Sequence, residues 1–396
     1  MVTKRDFNPE CITNSQMTLI FNARIYYRRL TTWTRAYILS RYFGIGTSEE
    51  LFGRLYLESL DIGDMLQIIF GREVSEQYSL LLSRFAITFR DLLDAQLAGD
   101  AEAVDENVER LYQNVLERSV FLEGINPYWT AEEYVSLFNA YIQYIIGIAN
   151  AFASGDYSRE IRLYDELAAH TNRMGDVFAE GIYNFITSGG RCRPQEGEQC
   201  ITYEEMNEIY NIRMFWFELV TWVRNYMLSR YAGIGDADEV FERLRQVPAD
   251  YVNRVSKLLG DGFAEEYVQL FYDYIDLIRD FITAQLAGNT DEVGRITQRL
   301  YQNADERAAF VAAINPFWNE EEARTRLYNN LRATIDESSS FLMGDYARNI
   351  DIFSRLLDQA ESISTWLAQG LVRYLESTGN FAGRQSAIIR WSPASS

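Results

Sequence analysis

Residues 110–129, RLYQNVLERSVFLEGINPYW, return as residues 299–318, RLYQNADERAAFVAAINPFW. The offset between the two stretches is 189 residues (299 − 110), and it holds without a gap far beyond them. It carries Cys11-Ile12-Thr13 onto Cys200-Ile201-Thr202, Leu39-Ser40-Arg41-Tyr42 onto Leu228-Ser229-Arg230-Tyr231, and Gly44-Ile45-Gly46 onto Gly233-Ile234-Gly235. Farther along, Gly155-Asp156-Tyr157 meets Gly344-Asp345-Tyr346. Two repeats of this size read as two domains and not as turns of a solenoid. The expected organisation is copy 1 over 1–187, a linker over 188–199, copy 2 over 200–376 and a tail over 377–396. The linker SGGRCRPQEGEQ carries the Gly, Pro and charge content of a connection.

Within a copy the apolar residues recur at helical spacing. Tyr78, Leu81, Leu82, Phe85, Phe89, Leu92 and Leu93 step by three and four, as do Val104, Val108, Leu111, Val115 and Leu122. A last stripe runs Ile161, Tyr164, Leu167, Met174, Phe178, Gly181, Phe185, and its counterpart runs Ile350, Phe353, Leu356, Ile363, Leu367, Gly370, Tyr374. Breaks fall at Gly44/Gly46, Gly99-Asp100, Asn126-Pro127 and Gly155-Asp156. Each copy therefore reads as a long first helix, a short broken segment and four further helices. The fold class is all-α: two homologous bundles, each of four principal helices plus additions. Pro127 is expected at a helix start with Asn126 as its cap, and Trp129 as a plug at the bundle end.

Composition excludes several functions. The chain carries 57 acidic and 37 basic residues, a net charge of −20, which repels phosphate backbones and anionic lipid, so neither nucleic acid nor a membrane surface is expected as a partner. At 47% hydrophobic it has ample material for packed cores. Lysine is almost absent, Lys4 and Lys257 standing against many arginines. Cys11, Cys192 and Cys200 form no CxxC, and their odd number suggests reduced thiols and not a disulfide framework. The opening MVTKRDFNPECITNSQ shows no secretory signal pattern, so a cytoplasmic location is expected, with incorporation into a larger assembly open.

Signatures of catalysis are missing. Gly44-Ile45-Gly46 lacks the third glycine and the preceding strand of a dinucleotide loop, and no Walker lysine exists. The one histidine, His170, has Gln359 as its counterpart and no ExxH pairing, so it reads as a packed or surface residue and not a ligand. No catalytic residue, metal site or cofactor is expected.

Two stretches carry the functional reading. Polar residues kept in both copies, Trp33, Arg35, Asn114 and Glu117 with Trp222, Arg224, Asn303 and Glu306, form a candidate buried network that fixes helix register. The second stretch is where the copies disagree. From Tyr134 to Gly155 copy 1 has no charge, and Leu137, Tyr141, Tyr144 and Ile148 share one helical face. Their counterparts are Arg326, Asn330, Ala333 and Glu337. Copy 1 is expected to hide this face against copy 2 or a second chain, and copy 2 to wet it. A membrane span is disfavoured by Asn139, Gln143 and Asn150 and by the acidic flanks.

The motifs Trp33-Thr34-Arg35, Asn303-Ala304-Asp305, Ile125-Asn126-Pro127-Tyr128-Trp129 and Gly175-Asp176-Val177-Phe178 resemble those of an uncharacterised bacterial family of single-unit all-helical proteins. The resemblance covers each copy nearly end to end and implies the helical fold. Members often carry extra histidines at positions corresponding to Leu30 and Phe85, which this chain lacks. The expected function is non-enzymatic binding or assembly, as scaffold, coat or oligomeric component, with protein as the expected partner, a second copy of the chain included. The alternative is a helical-bundle binder of a small ligand or metal, which would show an enclosed cavity lined by polar groups.

Overall fold

The computed structural model describes residues 11–45, 48–188, 200–259 and 261–378, and divides the chain into two compact units, Met1–Thr202 and Tyr203–Ser396. Gly46 and nearly all of the expected linker and tail lie outside the described residues.

Unit 1 contains α1 (Asn14–Phe43), α2 (Ser48–Phe70), α3 (Arg72–Ala98), α4 (Ala101–Ile125), α5 (Ala131–Ser154) and α6 (Tyr157–Ser188). A two-residue ladder joins β1 (Ile12–Thr13) to β2 (Cys200–Ile201), with Ile12 opposite Ile201. Unit 2 repeats the helices as α7 (Tyr203–Ala232), α8 (Ala237–Leu259), α9 (Asp261–Leu286), α10 (Thr290–Ile314), α11 (Glu320–Leu342) and α12 (Tyr346–Thr378). All-α is therefore right, but among the described residues each unit has six long helices and no short broken segment. The residues expected to be broken form α2, whose acidic first turn, Glu49 and Glu50, suits a helix N-terminus.

Local chemistry sets the ends. Thr13 accepts from the Gln16 amide while Gln16 reaches back to Thr13, a capping box that starts α1. Asp100 caps α4, and Gly99 just before it adopts φ +69, a left-handed conformation that glycine takes without a Cβ penalty. One expectation is corrected here. Pro127 does not open α5; Thr130 caps that helix through the Glu133 amide, and Asn126 closes α4 and accepts from the Tyr128 amide to shape the turn.

The chain in each unit winds α1 through α6 in sequence order, neighbour on neighbour, with α6 returning to α1 and α1 also meeting α3 and α5. That is why α1 beyond Asn22 is almost wholly enclosed: Arg24, Arg28, Thr31, Thr34 and Arg35 are buried with its apolar residues. Trp129 plugs the bundle as expected, fully buried, stacked on Phe178 with centroids 5.1 Å apart. Its indole occupies the space over Gly181, and Trp318 does the same over Gly370.

Cys11 is disulfide-bonded, which corrects the reading of reduced thiols. The ladder pairs Thr13 with Cys200, so the backbone next to Cys11 meets that of a second cysteine, a proximity that spacing alone does not reveal. The cysteines therefore no longer argue for a reducing compartment.

Candidate functional site

The polar set kept in both copies separates into several contacts and not one network. Trp33 is fully buried and its indole N–H donates to Glu58 at 3.1 Å, which Arg29 also engages. Arg35 gives a two-point ion pair to Glu160 on α6, at 2.5 and 2.8 Å. Burial works against the Arg35 charge, but Glu160 outweighs it and holds the guanidinium above its ordinary pKa. Asn114 donates to the Leu81 carbonyl and accepts from Arg118, both at 2.8 Å. Glu117 is not part of this set; it lies half-exposed in an ion pair with Arg84, 3.0 Å across α3 and α4. Glu306 is exposed likewise.

Unit 2 solves the same problem differently. Arg224 pairs with Glu337 on α11 and with Asn349 on α12. Burial pushes the Glu337 carboxyl up to about 7 despite Arg224, and its second oxygen has no partner. Asn303 donates to the Leu270 carbonyl, as Asn114 does to Leu81. Arg307 lies buried over the rings of Tyr274 and Phe271, and burial lowers its pKa to about 10. The indole of Trp222 lies 5.0 Å beneath the Arg243 guanidinium.

The expected partner stripe is corrected. Leu137, Tyr141 and Ile148 are buried by unit 1 itself: Tyr141 bonds Thr34 at 3.2 Å and meets the Phe85 ring, while the Leu137 carbonyl lies 2.9 Å from His170 Nε2. Tyr144 is half-buried against the His170 ring. Nor does copy 2 wet the face, since Asn330 and Glu337 are buried there. The helix α5 is long and apolar enough to cross a membrane, and half of its most apolar window is buried inside the protein. Beyond its acidic first turn, Glu132 and Glu133, the absence of charge on α5 reflects a core made of rings and aliphatics where α11 uses polar groups.

The copies also differ on a face the stripes did not flag. On the outer side of α3 and α4, away from the core, Leu80, Ile87, Leu116 and Val120 stand 64%, 38%, 48% and 58% exposed. Successive members lie seven residues apart on α3 and four apart on α4, so each pair shares one side of its helix. Ile87 and Leu116 line an open groove of about 910 Å³, floored by Thr88 and Asn114 and crossed by the Arg84–Glu117 pair. The equivalents in unit 2 are Gln269, Asp276, Asp305 and Ala309. There Asp276 is paired with Arg245 at 2.6 Å and Asp305 with Arg324 at 2.8 Å, an ordinary solvated surface. The signal was present in the sequence as four apolar residues of copy 1, off the core stripe, of which two become aspartate, one glutamine and one alanine at the offset.

Among the described residues no group of three or more His, Cys, Asp or Glu side chains is placed to hold a metal ion. No family profile matches the chain, and no curated protein or solved structure matches it either.

Proposed function

We propose that the chain is a non-enzymatic binding protein that engages a protein partner through the outer face of α3 and α4 in unit 1. The observation that carries this reading is the exposure of Leu80, Ile87, Leu116 and Val120 in one unit where the duplicate carries Gln269, Asp276, Asp305 and Ala309. An exposed apolar patch costs solubility and is typical of contacts, and the second copy carries polar residues at three of the equivalent places and alanine at the fourth. Interface cores are apolar with a polar rim, which matches two pairs of aliphatic side chains bordered by Arg84, Asp91 and Glu117.

A photo-cross-linking amino acid at position 116, introduced in the native host, tests it, with the same residue at position 305 as the control. A discrete adduct from position 116 and none from 305 is the expected result. Equal labelling at both sites, or none at either, removes the face from consideration.

A further inference from the structure

We infer that the partner seated on this face is a basic amphipathic helix of another protein, an assignment that rests on the binding reading above. The outer side of α4 is divided along its length. Its C-terminal half offers Leu116 and Val120, and its N-terminal half presents Glu102, Asp105, Glu106 and Glu109, all exposed. At 100° per residue these four carboxylates fall on the same side of the helix as Leu116 and Val120. Glu102 lies in the first turn, where the helix dipole alone favours an acid, but Glu106 and Glu109 lie beyond that turn, so the dipole does not account for them. Unit 2 carries Asp291, Gly294, Arg295 and Gln298 at the same places, and Arg295 there is ion-paired with Glu292. The acidic end and the apolar end thus occur together in unit 1, and unit 2 keeps only the first-turn acid, Asp291, of the one and an alanine, Ala309, of the other.

An occupant of such a strip needs aliphatic or aromatic anchors at three- and four-residue spacing and basic side chains continuing along the same side. A second copy of the chain fits poorly, because two bodies of charge −20 repel and would bring the same carboxylates together.

The probe is a fluorescein-labelled synthetic helix of leucine and arginine with its leucines on one side, titrated by anisotropy against the full chain at low salt. Its scrambled isomer and a leucine–glutamate counterpart are the controls. Saturable binding of the first peptide alone is expected. Ile87→Asp with Leu116→Asp, the residues unit 2 already carries, is expected to weaken it about tenfold or more, equivalent to roughly 1.4 kcal/mol. Glu106→Gln with Glu109→Gln is expected to weaken it several-fold and to flatten its salt dependence. Circular dichroism verifies that both variants stay folded. Equal binding of the scrambled or acidic peptide, or unchanged binding by the variants, overturns the assignment. So does a dimer in sedimentation that Leu116→Asp dissociates, which gives the face to a second copy. Binding seen only after residues 379–396 are removed gives it to the chain's own end and overturns it as well. A cross-link at position 116 without peptide binding fails the charge assignment and leaves the binding face standing; neither result fails both.

Discussion

Arg35 on α1 is held by Glu160 on α6, whereas its counterpart Arg224 on α7 is held by Glu337 on α11. The position equivalent to Glu160 is Asn349, and the position equivalent to Glu337 is Ile148. The buried cation has stayed in place while its acid moved from one neighbouring helix to another. A buried guanidinium without a carboxylate is costly, so the two acid positions form a compensating pair. Glu160→Asn is therefore expected to destabilise unit 1 by roughly 3 to 5 kcal/mol. Adding Ile148→Glu, which rebuilds the arrangement of unit 2, is expected to recover part of that loss. Denaturant unfolding measures both, and a double variant no more stable than Glu160→Asn alone would refute the compensation.

The reverse exchange has a pH signature. Burial, opposed by Arg224, raises Glu337 to about 7 in the folded state, above an unfolded value near about 4.3. A raised carboxyl pKa contributes stability that is complete below the unfolded value and is lost as pH rises through about 7. Unit 2 is thus expected to melt at a lower temperature at pH 8 than at pH 5. Glu337→Ile with Asn349→Glu gives Arg224 a partner in the position Glu160 occupies, and it is expected to flatten this slope. Arg35, whose pKa is raised, keeps its contribution throughout this range. A slope unchanged in the double variant would place its origin elsewhere.

These exchanges mark the limit of what could be read in the sequence. Stripes, glycine breaks and the Asn-Pro-aromatic-Trp turn gave the helices because periodicity and backbone chemistry are local. Identity between copies points equally to Glu117 and Glu306, which repeat although they are half-exposed on α4 and exposed on α10. Among the described residues none of the buried acids, Glu58, Glu160 and Glu337, repeats: their counterparts are Val247, Asn349 and Ile148. Likewise the uncharged stretch on α5 resembled an interface because its counterpart carries Arg326 and Glu337, and helical spacing does not say that Glu337 turns inward to Arg224. The sequence carries both signals as reciprocal substitutions at the offset.

The plug at the bundle end rests on two glycines. A Cβ built on Gly181 would lie 1.7 Å from Trp129 Nε1, and one on Gly370 would lie 2.1 Å from Trp318 Nε1. Alanine is usually the better helix former by about 0.5–1 kcal/mol, yet here it drives into a packed ring, where overpacking costs about 1–3 kcal/mol or more. Gly181→Ala is expected to lower the melting temperature of unit 1, and Trp129→Phe added to it is expected to return part of the loss. Gly124→Ala, where a Cβ meets nothing within 4 Å, is the control and should be neutral or slightly stabilising. A Gly181→Ala protein as stable as the control would show that the indole relaxes freely.

Exchanging Leu137→Arg and Tyr141→Asn gives α5 the residues of α11, and the structure says that unit 1 will not accept them as a surface change. Leu137 is 4% exposed and Tyr141 3%, and the tyrosine hydroxyl meets Thr34 on α1. In unit 2, Arg326 is half-buried and answered by Glu322 and Ser362, and its guanidinium lies 5.6 Å over the Trp366 ring. The equivalents of those partners in unit 1 are Glu133, Arg173 and Val177, so an arginine at 137 would retain the acid, lose the ring and meet a like charge. Loss of the Tyr141 ring also leaves a cavity beside Phe85, and the two changes together are expected to cost more than about 4 kcal/mol. The double variant should unfold unit 1 at a lower denaturant concentration without changing the sedimenting mass of the folded protein. A changed mass at unchanged stability would return α5 to the role of an intermolecular contact.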